Sequence, residues 1–174
     1  MIWKDSDEIL KHYKNGQFQG VNLGITDVNP KFIIGLCINP KIVATDWKME
    51  NLKKAVELNG WDDQYANSIS LIQLPTGEYV VTPGGNHMAM LSKQLGMASI
   101  KAKVYRLFPI NIFPSNILNT VQSLQKEAER IQSDLSTLGP ESEEAYDLIN
   151  RLDKIQLEEI NQTFLDYLIL EKLI

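Results

Sequence analysis

Four consecutive residues, Gly84-Gly85-Asn86-His87, combine types and spacing that suit chemistry. Paired glycines let a chain turn sharply and bring its backbone close to a ligand. A helix opening directly after them presents unpaired N–H groups and a partial positive charge at one point, the geometry that binds phosphate. Asn86 adds a donor or acceptor, and His87 adds a titratable ring. The same tetrad also reads as a plain structural turn, with Asn86 as the helix cap and His87 on the surface. Other chemistry is sparse. Cys37, the single cysteine, excludes an internal disulfide, lies in an apolar run and is expected to be a buried, inert thiol. Asp62-Asp63 could bind a metal, but adjacent loop carboxylates are expected to be solvated. Trp3, Trp47 and Trp61 are expected to be partly buried, and no Ser/His/Asp order, P-loop or dinucleotide fingerprint is present.

Several elements must position the tetrad. Residues 5–15 read as a short helix capped by Asp5 or Ser6, and residues 17–30, rich in Gly, Asn and Asp, as an irregular connection. Residues 31–38 form an apolar, β-rich run ended by Asn39-Pro40. Trp47 to Asn59 fits an amphipathic helix, with Leu52, Ala55, Val56 and Leu58 near one side and Gly60 as its stop. Residues 68–74 and 78–81 flank Pro75-Thr76-Gly77, a hairpin signal. The pattern turns helical from Asn86 to Gln94, with Gly96 as a stop, and residues 100–107 alternate as a half-exposed strand.

The last third differs in kind. Ile117, Val121, Leu124, Ala128, Ile131, Leu135 and Leu138 are spaced as a strict a/d seam. Gly139-Pro140 is placed to end this helix and open a second, over about residues 141–172, with Leu148, Leu152, Ile155, Leu157, Ile160, Phe164 and Leu168 at helical spacing. The expected fold is α+β: a small mixed-sheet domain over residues 1–110, followed by an antiparallel helical hairpin over residues 111–174.

Composition bounds the function. Of 174 residues, 44% are apolar and 22% charged, and no run is long and apolar enough to span a bilayer. The acidic N-terminal stretch argues against an export signal, so a cytoplasmic address is expected. Residues 112–174 hold 12 Asp/Glu against 5 Lys/Arg, whereas residues 1–111 hold 10 against 12. Phosphate or nucleic-acid contacts therefore belong to the first two thirds.

Residues 36–108 resemble, in order, the N-terminal domain of ParB-like proteins, a superfamily that includes sulfiredoxin and a free-serine kinase. The resemblance rests on the Asn39-Pro40 turn after a strand, the helix ending at Gly60, the Gly77 turn, the run GEYVVTPGGNHMAM (77–90), Leu95-Gly96 and the strand IKAKVYR (100–106). It implies a nucleotide with Mg²⁺ as ligand, bound around Gly84, Gly85, Asn86 and His87. The chain departs from the family where the chemistry lies. Met88 stands where an Arg follows the His, Asn86 where sulfiredoxin has its reactive Cys, and Gly84 where kinase-like members have an acid. Lys93, Lys101, Lys103 or Arg106 would have to replace the missing Arg. The expectation is a catalytically degenerate binding or interaction module of a bacterial or phage accessory protein. The alternative is an ATP- or CTP-dependent enzyme with an altered pocket. DNA association is disfavoured, because an acidic coiled-coil pattern follows residue 110. The second helix carries surplus apolar surface at Phe164, Leu165, Tyr167, Leu168, Ile169 and Leu170, so a homodimer or a protein partner is expected there.

Overall fold

The structure is a computed structural model that describes residues 2–63, 68–138 and 142–174. It is an α+β protein that divides into two compact units, Met1–Ile110 and Asn111–Ile174.

The first unit is built on a six-stranded mixed sheet with strand order β1-β3-β5-β4-β6-β2. In chain order it contains β1 (Lys4–Asp5), α1 (Ser6–Lys11), β2 (Phe18–Val28), β3 (Ile33–Leu36), α2 (Pro40–Thr45), α3 (Trp47–Asn59), β4 (Ser70–Gln73), β5 (Tyr79–Val81), α4 (Asn86–Gln94) and β6 (Ile100–Pro109). β1 runs parallel to β3, β3 to β5, and β4 to β6, while the β4–β5 and β2–β6 pairs are antiparallel. The β4–β5 hairpin closes through Leu74 N–H to Glu78 O and Gly77 N–H to Leu74 O, as Pro75-Thr76-Gly77 requires. Ile33, Leu36, Leu71, Val81, Ile100 and Val104 from the sheet form one core with Val43, Met49, Ala89 and Met90 from the helices.

Three expectations change here. Residues 17–30 are no irregular connection: β2 pairs with β6 from Phe18↔Pro109 to Val28↔Ile100, with a bulge between Asn22 and Ile25. Gly24, at φ +76°, turns the chain inside the bulge, and its N–H donates to Asn22 Oδ1. Asn39-Pro40 does more than end β3, since Asn39 caps the two-turn helix α2 and Pro40 takes its first position. Trp47 is 67% exposed, because it opens α3 on the outer side while Met49, Leu52 and Val56 turn inward.

The second unit comprises α5 (Ser115–Leu135) and a second helical run of α6 (Glu143–Asp153), a π-helical stretch over Lys154–Glu159, and α7 (Ile160–Leu170). The two runs are antiparallel. Phe113, just before α5, packs on Phe164 and Tyr167, and Tyr167 Oη donates to Ile112 O, while farther along Arg151 bridges to Glu127. Val121, Ala128 and Ile131 of the seam are buried, and Ala128 and Ile131 pack with Ile155, Leu124, Leu135, Leu148 and Leu152. The expected Gly139-Pro140 turn lies outside the described residues. Leu157, expected on the inner stripe, is 73% exposed. The stripe steps five residues from Ile155 to Ile160, and the Ile160 N–H bonds to Ile155 O, so the wide turn carries Leu157 outward. Phe164 and Leu168 are buried, while Ile169 and Leu170 are exposed. No described helix is long and apolar enough to cross a membrane.

Candidate functional site

The tetrad sits where β5 hands over to α4. Gly84 and Gly85 have φ of +104° and +80°, and Gly85 is the N-cap of α4, with no side chain to cap it. A Cβ on Gly85 would lie 2.8 Å from Ile69 Cα and 3.0 Å from Ser68 O. Both the left-handed backbone and the close packing on residues 68–69 therefore demand glycine at 85. Gly84 is exposed, and a Cβ there would meet Ser68 O at 3.4 Å.

Asn86 is neither the cap nor at the mouth of a site. It is 3% exposed, and its Oδ1 accepts the Cys37 N–H at 3.0 Å while its Nδ2 donates to Cys37 Sγ at 3.1 Å. The side chain thus pins the first turn of α4 to the residue after β3 and satisfies a backbone donor that the sheet leaves open. Cys37 itself is half-buried rather than buried. His87 is also half-buried, and its Nε2 lies 3.2 Å from Asp46 Oδ2. Asp46 Oδ1 caps α3 by accepting the Lys48 N–H, so one carboxylate joins the starts of α3 and α4. Neither duty of Asp46 was read from the sequence, and nothing local announces a partner 41 residues away.

Met88 points to apolar company. It lines a cavity of about 270 Å³ with Leu52, Val56 and Trp61, and its Sδ accepts from Ser68 Oγ at 3.4 Å. Trp61 is held by donating to Asp63 Oδ1, which also accepts the Lys101 N–H of β6. Asp63 is therefore a structural tie, and among the described residues no group of three or more His, Cys, Asp or Glu side chains comes together to hold a metal.

The basic residues expected to stand in for an Arg after His87 have other engagements. Lys93 Nζ donates to Ile33 O and lies over the Trp3 ring, and burial holds its ammonium below the usual lysine range. Lys101 Nζ meets Asp27, Lys103 lies over Tyr105, and Arg106 over Phe108. What remains around the turn is a bend of exposed main chain, a His–Asp pair and a helix N-terminus. No family model matches the chain, and no curated protein or solved structure matches it.

Proposed function

We propose that the first unit is a ParB/sulfiredoxin-like binding module that lacks the group-transfer chemistry of that superfamily, joined to a helical unit that serves association with other protein. The order of elements supports the likeness: a strand ended by Asn39-Pro40, a helix stopped at Gly60, a hairpin turned at Gly77, and a Gly84-Gly85 turn into α4 that ends before Gly96. Two side chains support the loss of chemistry. Asn86, in the place of the sulfiredoxin Cys, spends both ends of its amide on Cys37, and Met88, in the place of the Arg, faces an apolar cavity. A ligand at the turn would meet main-chain N–H groups and His87 but no fixed positive side chain. Missing one charge-assisted phosphate contact forgoes about 1.5–3 kcal/mol, tenfold or more in affinity.

Calorimetric titration with ATP and CTP in the presence of Mg²⁺, alongside a phosphate-release assay, tests this reading. Met88→Arg is expected to bind nucleotide at least tenfold tighter than the natural chain, and neither protein is expected to release phosphate. Turnover of either nucleotide by the natural chain would overturn the proposal in favour of an enzyme with an altered pocket. Equal affinity in the two proteins would reduce the Gly84–His87 turn to a structural element.

A further inference from the structure

The open end of the helical unit carries a groove of about 510 Å³ between the start of α5 and the end of α7. Pro114, Ile117, Tyr167 and Leu170 supply its apolar walls, and Asp166 and Glu171 stand among the residues that line it. Leu170 is 76% exposed, and Ile169 beside it is exposed as well. Among the described residues no Lys or Arg lines the groove, and Lys172, next along the chain, is not one of its lining residues. The charge of the whole unit points the same way, with 12 Asp/Glu against 5 Lys/Arg over residues 111–174.

From this we infer that the groove docks a basic amphipathic helix of another protein. The inference rests on reading the helical unit as an association element and names its partner by chemistry. A helix laid in a groove buries apolar anchors at i, i+3, i+4 and i+7, which the walls at Ile117, Tyr167 and Leu170 suit. Its flanking Lys or Arg side chains would meet Asp166 and Glu171, giving register and a fast encounter. A second copy suits the same groove poorly. Two-fold pairing presents one patch to itself, so Asp166 and Glu171 would face their own counterparts with no lining cation between them.

The probe is a fluorescent Leu/Lys amphipathic peptide of about five helical turns, titrated into the full chain at several salt concentrations. A control peptide has the same composition with its leucines scrambled off one face. The structure leads us to expect saturable binding of the amphipathic peptide, weakening as salt rises, and at least tenfold weaker binding of the scrambled one. Leu170→Asp should weaken binding about tenfold although it adds negative charge. Glu171→Lys should weaken binding and flatten its salt dependence, whereas Glu129→Lys, the same charge change on the exposed side of α5, should do neither. Unchanged or tighter binding by Leu170→Asp, or equal losses from Glu129→Lys and Glu171→Lys, would show general charge attraction and overturn the inference. Sedimentation equilibrium separates the two levels of the argument. A natural chain running at twice 19.8 kDa that Leu170→Asp returns to single mass would keep the association reading and replace the basic helix with a second copy. A single mass with no peptide binding would overturn both.

Discussion

His87 Nε2 lies 3.2 Å from Asp46 Oδ2, while the other oxygen of the same carboxylate caps α3. Two helix starts far apart in sequence therefore share one acid. Asp46→Ala should cost about 1–2 kcal/mol, combining a lost cap with a lost polar contact. Asp46→Ser keeps a capping oxygen but cannot reach the imidazole, so it should cost less than about 1 kcal/mol. Urea denaturation of these variants with and without His87→Ala completes a double-mutant cycle. In the His87→Ala background Asp46→Ser is expected to be nearly silent, and an unchanged cost there would mean the two side chains do not interact.

Gly85 and Gly77 both hold left-handed backbone, at φ +80° and +86°, but only one is crowded. Nothing lies within 4 Å of a Cβ built on Gly77, whereas one on Gly85 meets Ile69 Cα at 2.8 Å. Gly77→Ala should therefore show the conformational penalty alone, about 1 kcal/mol. Gly85→Ala should exceed about 3 kcal/mol, because the backbone of residues 68–69 must also move. Similar melting temperatures for the two variants would contradict this packing.

Asn86→Ala removes the acceptor of the Cys37 N–H and the donor to its sulfur. An orphaned backbone donor costs about 1–3 kcal/mol, and the thiol is uncovered at the same time. The expected outcome is a lower denaturation midpoint together with faster labelling of Cys37 by a thiol reagent. Faster labelling without a stability change would place the bond outside the folding energetics.

Arg151 donates to Glu127 on α5 and to Glu159 in the π-helical stretch. The guanidinium holds the Glu127 carboxyl below its ordinary range. A carboxylate lowered on folding contributes stability above its unfolded value and loses it as the pH falls through the folded one. The gap in melting temperature between the natural chain and Glu127→Gln should thus narrow between about pH 6 and about pH 3. A gap that stays constant or widens toward acid would show that the pair does not form in solution.

Local signals served well wherever the chain used them locally. Asp5 caps α1, Gly60 stops α3, and the Gly77 turn closes its hairpin. β2 escaped because Val21 and Val28 are both buried yet stand seven residues apart, on opposite parities of a regular strand. The bulge at Asn22–Ile25 adds the residue that brings both to one face, and the Gly and Asn that build it look like loop residues in the sequence. At the candidate site the Gly84-Gly85 turn and the start of α4 were legible from composition. The duties of Asn86 and His87 were not, since their partners Cys37 and Asp46 lie 49 and 41 residues away. Pairing of β3 with β5 brings Cys37 to Asn86, and packing of α3 on α4 brings Asp46 to His87.

The wide turn over Lys154–Glu159 makes chain length part of what the second unit encodes. An even helix advances about 100° per residue, so the step from Ile155 to Ile160 contains one residue more than the inner stripe needs. Deleting Leu157 would leave Ile155 and Phe164 facing α5 on either side of an ordinary helix. The same deletion within α5 would swing everything beyond it by about 100° and break the seam. Single-residue deletions should therefore be tolerated in the one helical run and lethal to packing in the other, a difference that no residue-by-residue measure of hydrophobicity would reveal.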